Sequence, residues 1–308
     1  IMNEPSNRSL LRLDAGQNFS PKKVVIVGNG AVENGDRPLI RVLRDQQNSY
    51  IAFDPSEQLD RFLKHEKPSV PLSHAAFLYR SAGLNVIRSS DGGSPEDVAA
   101  IRELNKFRCA LAKEYSDSRV RGEISLRTLP HEIEKIISDS STGVITINWD
   151  ELLWHDPRIK NLIQLHGRSG WPESLIFPTE YAVDEFTIFS EVLAEMVHAE
   201  SKKLKAKIDS CGRNPSAREQ LRTRHRDAIE WMQAAEELII WGVAFHPYDA
   251  ELTSVTILAR HEISNKKRVI LINKRKEDRD IAAALLRVPD ELRIDHDGRP
   301  DGFFRRWS

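Results

Sequence analysis

The stretch GVITINWDELLWH, residues 143–155, decides the fold. Val144-Ile145-Thr146-Ile147 is a short, mostly β-branched run that stops at Asn148-Trp149-Asp150. A continuous apolar run of this kind predicts a strand buried on both faces, as in parallel sheets. The helix-like ELLW that follows at once predicts a strand-to-helix junction. In open α/β sheets the ligand crevice lies at such carboxyl ends of strands. Residues i and i+2 of a strand share a face, so Thr146, Asn148 and Asp150 point the same way if the chain stays extended. A plainer role competes with binding. Asn and Asp are preferred helix caps, and either residue can cap the helix that starts near Glu151.

Five further runs resemble strands: KKVVIVG (22–28), NSYIAF (48–53), NLIQLHG (161–167), ELIIWGVAF (237–245) and KRVILIN (267–273). Helical patterns separate most of them. The expected fold is α/β, a Rossmann-like doubly wound parallel sheet. It is expected as a single domain over 1–308, with its sheet core at about 22–53, 141–181 and 236–290. Two helical insertions are expected, at about 54–140 and 182–235. In the first, Ser94-Pro95 supplies a cap and a proline at the first helical position, and Val98, Ile101, Leu104 and Leu111 mark one face. In the second, Phe186, Phe189, Leu193 and Val197 stripe one helix, and Ser216-Ala217-Arg218-Glu219 has capping-box spacing for the next.

The 308 residues are 40% hydrophobic and 30% charged with a net charge of −1, which excludes a molecule wholly committed to nucleic acid or anionic membranes. The apolar run 238–245 is far too short to span a bilayer. The polar stretch IMNEPSNRSLLRLDAGQNFS lacks a signal-peptide core, so a cytoplasmic protein with no membrane partner is expected. Cys109 and Cys211 are too few for a disulfide framework or a cysteine-rich zinc site. No close His/Cys/Asp/Glu set has metal-ligand spacing, and no metal is expected.

The first strand runs into GNGAVENGDRPLIR, residues 28–41. Gly28 and Gly30, flanking Asn29, allow a tight turn and close approach of a pyrophosphate, with the N–H groups of the next helix available to it. A plain tight turn accounts equally well for a lone glycine pair. A dehydrogenase fingerprint wants a third glycine at Glu33, and Gly35 comes too late. Asp54 is placed to hold a ribose. Gln164-Leu165-His166-Gly167 closes another strand-like run, where His166 is either a base near neutral pH or a structural histidine. The glycine turn, Asn148/Asp150 and His166 together mark three strand ends on one rim.

These residues resemble the Sir2 (sirtuin) superfamily. Its glycine loop followed by proline and arginine is similar to Gly28-Asn29-Gly30 with Pro38 and Arg41. Its T-Q-N-x-D strand end is similar to Thr146-Ile147-Asn148-Trp149-Asp150, and its catalytic L-H-G to Leu165-His166-Gly167. Its G-T-S resembles Gly242-Val243-Ala244, and its final asparagine resembles Asn273. The four-cysteine zinc module of protein deacylases is missing, because Cys211 is the only cysteine beyond His166. The family glutamine is Ile147 and the loop serine is Val32. These departures resemble the zinc-free Sir2-like NAD hydrolases of bacterial anti-phage defence.

The resemblance implies catalysis by Asn148 and His166, and NAD binding by Gly28, Asn29, Gly30, Arg41, Asp150, Gly242 and Asn273. It implies NAD as substrate, a homo-oligomer, and a HerA-type ATPase or another defence sensor as partner. Three other readings stay open: an NAD or ADP-ribose sensor without catalysis, a zinc-free deacylase, and a dehydrogenase.

The stretch 202–226, from Lys202 to Arg226, holds nine Lys or Arg and two acids. It reads as a solvated helix pair or as a docking surface for a partner or nucleic acid. Lys266-Lys267-Arg268 and Lys274-Arg275-Lys276 read as solvated strand ends. His246 and Asp249 read as a loop turn or as the adenosine side of the site. The terminal Phe303, Phe304 and Trp307 either close the core or dock on another subunit.

Overall fold

The computed structural model describes residues 9–13, 19–45, 95–129, 131–176, 215–245, 250–299, 302 and 304–306. Its strands are β1 (Leu11–Leu13), β2 (Lys23–Val27), β3 (Val32–Glu33), β4 (Ser125–Leu126), β5 (Thr142–Thr146), β6 (Asn161–Gln164), β7 (Glu237–Trp241), β8 (Arg268–Ile272), β9 (Arg293–His296) and β10 (Arg305–Arg306). Its helices are α1 (Arg37–Asp45), α2 (Pro95–Val120), α3 (His131–Ser138), α4 (Leu152–His155), α5 (Pro215–Ala234), α6 (Ala250–Ala259) and α7 (Lys276–Leu286).

Eight strands form one sheet in the order β1-β6-β5-β2-β7-β8-β9-β10. The inner six are parallel, and β1 and β10 close the edges antiparallel. Counted in chain order, the inner six run 3-2-1-4-5-6, the order of Rossmann-like sheets. The order reverses between β2 and β7, where Val27 pairs with Trp241. Gly28 and Gly242 are the next residue of each strand.

The apolar runs alternate between two buried faces. Val24, Ile26, Ile145, Ile163, Leu238 and Ile240 meet Ala228, Trp231 and Met232 of α5, Leu252 and Val255 of α6, and Leu286 of α7. Val25, Val27, Val144, Leu162, Ile239 and Trp241 meet Ile133, Ile136 and Ile137 of α3, and Leu153 and Trp154 of α4. Each buried Val, Leu, Ile or Met among them contributes roughly 1.5–3 kcal/mol by leaving water. Burial on both faces is why these runs lack polar alternation.

Two boundaries move. Helices α3 and α5 fall within the expected insertions, yet both pack on the sheet as its own connections. Phe107, Leu111 and Tyr115 of α2 join Leu39 and Val42 of α1, Val32 and Ile124 in a satellite cluster. Trp149 and Leu152 pack against that cluster, so it abuts the exit of β5. The small β3–β4 pair, Val32 opposite Leu126, lies beside it.

The candidate strand 48–53, Asp54, Ser94, the helix expected around 186–197, most of 202–226, and His246 and Asp249 lie outside the described residues. Strand β9 is an addition to the expected sheet. Its polar sequence RIDH hides it, because Arg293 and Asp295 are buried as an ion pair at 2.8 Å.

Candidate functional site

The glycine turn is built by interlocking backbone. The Gly28 N–H donates to the Trp241 carbonyl at 2.9 Å, and the Gly30 N–H donates to the Gly242 carbonyl at 2.8 Å. A Cβ on Gly28 would lie 2.6 Å from the Gly242 carbonyl oxygen, and one on Gly30 would lie 2.8 Å from it. Gly242 adopts φ +66, a left-handed conformation that favours glycine. Sequence reasoning expected the following helix to offer its N–H groups to a phosphate. Instead the chain makes a 3-10 turn over Asn29–Ala31 and the short β3, and α1 starts only at Arg37. The Ala31 N–H closes this turn on Gly28 at 3.0 Å. Arg127 braces the turn from outside, with Nε donating to the Gly30 carbonyl at 3.0 Å. Asn29 is exposed.

The β5 exit turns through a side chain. The Thr146 hydroxyl donates to the Val27 carbonyl and accepts the Asn148 N–H, each at 3.1 Å. Thr146 is therefore committed to the fold, and the extended run ends there. Asn148 is buried, and its Nδ2 donates to the Gly28 carbonyl at 3.3 Å, so this amide touches the glycine turn. Among the described residues its buried Oδ1 has no hydrogen-bond partner.

Asp150 does the work of a cap. Its Oδ1 accepts the N–H of Leu152, the first residue of α4, at 2.9 Å. Burial pushes its carboxyl up to about 6, against the lowering effect of that N–H. The neighbouring Tyr115 phenol is also raised, by burial first and then by Asp150 and Asp36. Glu151 follows at φ 56, left-handed for a non-glycine residue, a conformation that costs of order 1–3 kcal/mol.

β5 and β6 pair in parallel, with Thr146 opposite Gln164. Asn148 and His166 are each two residues further along, at the same level of adjacent strand exits. Gln164 spans the gap, its Nε2 donating to the Asn148 carbonyl at 3.4 Å. His166 is buried, and its Nε2 has no hydrogen-bond partner among the described residues. Burial, with a smaller push from the buried His225 on α5, lowers the imidazole to about 3, so it is neutral at pH 7. Gln164 Oε1 and Ser169 Oγ are buried and unpartnered as well. Four buried polar atoms without partners thus belong to two adjacent strand exits.

The other expected site residues divide. Asn273, after β8, donates through Nδ2 to the Val243 carbonyl at 3.1 Å and so fixes the chain just beyond Gly242. Arg41 is bonded to Glu114 at 2.9 Å and to Glu123 in a four-charge cluster completed by Arg121. The arginines Arg121 and Arg41 hold Glu123 down to about 2. The structure therefore joins Gly28, Gly30, Gly242 and Asn148 by direct contact, sets His166 on the adjacent exit, and turns Arg41 and Asp150 to structural bonds.

Sequence reasoning missed Gln164, Ser169 and the buried Glu151–Arg168 pair. Gln164 had a signal, a polar side chain two residues before His166 in an otherwise apolar run. Among the described residues no group of three or more His, Cys, Asp or Glu is placed to hold a metal ion. No helix among them is long and apolar enough to cross a membrane. Comparison with protein-family models, with curated proteins and with solved structures gave no match.

Proposed function

We propose that this chain hydrolyses NAD to ADP-ribose and nicotinamide as a Sir2-like NAD glycohydrolase. One observation carries the reading. Two buried polar atoms lacking partners, Asn148 Oδ1 and His166 Nε2, sit on adjacent strand exits, and Asn148 is bonded to the glycine turn at the sheet's switch point. Dinucleotides bind at such a point in sheets of this order.

The chemistry suits these groups. Nicotinamide leaves NAD as a neutral ring, so no strong acid is required. The barrier is the positive charge that grows on the ribose as the C1′–N bond breaks. The Asn148 amide holds a ribose hydroxyl or the attacking water. Neutral His166 accepts the proton lost as the water oxygen bonds to C1′, and passes it to solvent. A base near 3 is weak, and an oxocarbenium-like centre needs only a weak one. Asp150, capping α4, holds the Asn148 exit in shape. Without an acylated acceptor, water takes the ADP-ribose.

The NAD-depleting role in anti-phage defence, the homo-oligomer, the HerA-type partner and nucleic-acid docking through 202–226 are supported by the sequence resemblance and the charge pattern. Incubation of the purified protein with NAD, alone and with a HerA-type ATPase, tests the activity. Equal release of nicotinamide and ADP-ribose is expected. NAD binding with no release in any assembly state would make the chain a sensor instead. Release only with an acylated peptide would make it a deacylase.

A further inference from the structure

The residues that carry the proposed chemistry leave two neighbouring strands on separate loops, 147–151 and 165–170. Nothing in a parallel strand pair fixes two such loops beyond the last ladder bond, which here is the Leu165 N–H on the Thr146 carbonyl at 2.8 Å. Two backbone-linked contacts continue the connection. One is Gln164 on the Asn148 carbonyl, and the other is the Ser169 N–H on the Trp149 carbonyl at 2.8 Å.

A charged pair completes it. Arg168 Nη1 donates to the Glu151 carboxylate at 2.8 Å, with only 7% and 5% of the two side chains exposed. Glu151 lies three residues after Asn148, and Arg168 two residues after His166. The guanidinium lies over the Trp154 ring at 4.1 Å from its centre, so it is held by stacking as well as by charge. Gly170 is packed against the carboxylate, where any Cβ would overlap Glu151 Oε1. His155, on α4, approaches the other carboxylate oxygen at 3.7 Å. Glu151 accepts a left-handed backbone to enter this arrangement.

Stability alone does not account for such a pair. Buried ion pairs roughly break even against apolar residues of the same volume, because desolvation offsets attraction. What they supply is a fixed geometry, since a planar guanidinium donates to a carboxylate in few orientations.

We infer that Glu151 and Arg168 are positioning residues that set the placement of His166 relative to Asn148. The inference rests on the NAD-hydrolase reading for its kinetic consequence, but not for its structural one.

The test uses the full chain with Glu151→Gln, Arg168→Met, Arg168→Lys and the charge-exchanged double variant Glu151→Arg/Arg168→Glu. Circular dichroism sets a temperature at which each is folded. A misplacement near 1 Å costs about a hundredfold in rate. The expected result is a fall in kcat of roughly ten- to a hundredfold in Glu151→Gln and Arg168→Met, with KM for NAD within about threefold of the parent. Arg168→Lys and the charge exchange recover part of it. A merely structural pair would lower the thermal midpoint and leave kcat per folded molecule unchanged, which overturns the inference. The imidazole resonances of His166, assigned by their loss in His166→Gln, give a readout free of catalysis. Shifts in Glu151→Gln and Arg168→Met are expected even if the parent releases no nicotinamide, in which case the NAD reading fails alone. An unmoved His166 signal in both ends the positioning role whatever the activity.

Discussion

Gly28 and Gly242 face each other across the switch point of the sheet, so closely that a Cβ on Gly28 would lie 2.6 Å from the Gly242 carbonyl oxygen. The two turns interlock, and Gly242 adds a left-handed φ of +66 and a Cβ position that overlaps the Ala31 nitrogen. Gly242→Ala is expected to lose about 2–5 kcal/mol, the left-handed penalty plus overpacking. Gly122 has φ +69 with open space around its Cβ position, so Gly122→Ala meets the backbone penalty alone, about 1–2 kcal/mol. Urea unfolding of both variants measures the difference. Equal losses would show that the interlock carries no strain.

His166 has a buried nitrogen without a partner among the described residues, so under the proposed function activity and stability are expected to move in opposite directions. His166→Leu removes the orphan polar group while keeping an apolar body. It is expected to stabilise the protein by about 1–3 kcal/mol. Nicotinamide release should fall, by at most the roughly 10²–10⁴ that a base matched to the working pH supplies. A variant that is both less stable and fully active would identify His166 as an ordinary core residue.

Asp150 and His166 give opposite pH signatures. The Asp150 carboxyl is raised to about 6 by burial, so the fold favours its protonated form. Its contribution is fully present below the ordinary carboxylate value and is lost as pH rises through about 6. Asp150→Asn keeps an acceptor for the Leu152 N–H and removes the charge. Above pH 6 it is expected to exceed the parent in stability by up to about 3 kcal/mol, with the gap closing toward acid. His166 is lowered, so its contribution is present above the ordinary histidine value and lost as pH falls toward about 3. The parent should lose more stability than His166→Leu between pH 6.5 and 4, in proton-linked urea titrations. Parallel curves would show that His166 is not held neutral by the fold.

The centre of the sheet was legible because Val24 to Val27, Val144 to Ile145 and Leu238 to Trp241 are apolar on both faces, and the sequence records burial directly. Strand β9 was not, because its burial is bought with charge. Arg293 and Asp295 read as solvent-facing until their partners are known. The same holds at the site. Asn148 and His166 could be singled out by residue type at a strand end. That Asp150 caps α4 depended on where the extended run stops, and the Thr146 hydroxyl decides that. Arg41 was placed by its position after the glycine turn, whereas two acids from distant parts of the chain, Glu114 and Glu123, settle its location. Pairings across long sequence separations leave no local trace.

Asp295 anchors a charge network that reaches the candidate site. It accepts from Arg293 Nε at 2.8 Å and from Arg279 Nε at 3.2 Å, and Arg279 also donates to the Asn273 carbonyl. Asn273 in turn holds the chain beyond Gly242. Asp295→Ala strips two nearly buried guanidiniums of a shared carboxylate and is expected to cost about 3–5 kcal/mol. Arg293 retains Asp280 at 2.6 Å, so the loss falls at the low end if that pair relaxes inward. The double variant Arg293→Met/Asp295→Leu removes one guanidinium with the shared carboxylate and should recover part of the loss, because an apolar pair avoids the desolvation cost while Arg279 keeps the Asn273 carbonyl. Chemical denaturation of both variants decides the matter. A double variant less stable than Asp295→Ala would mean that the ion pair itself stabilises the edge of the sheet. A double variant that regains stability yet binds NAD more weakly would trace the coupling from β9, through Arg279 and Asn273, to the turn at Gly242.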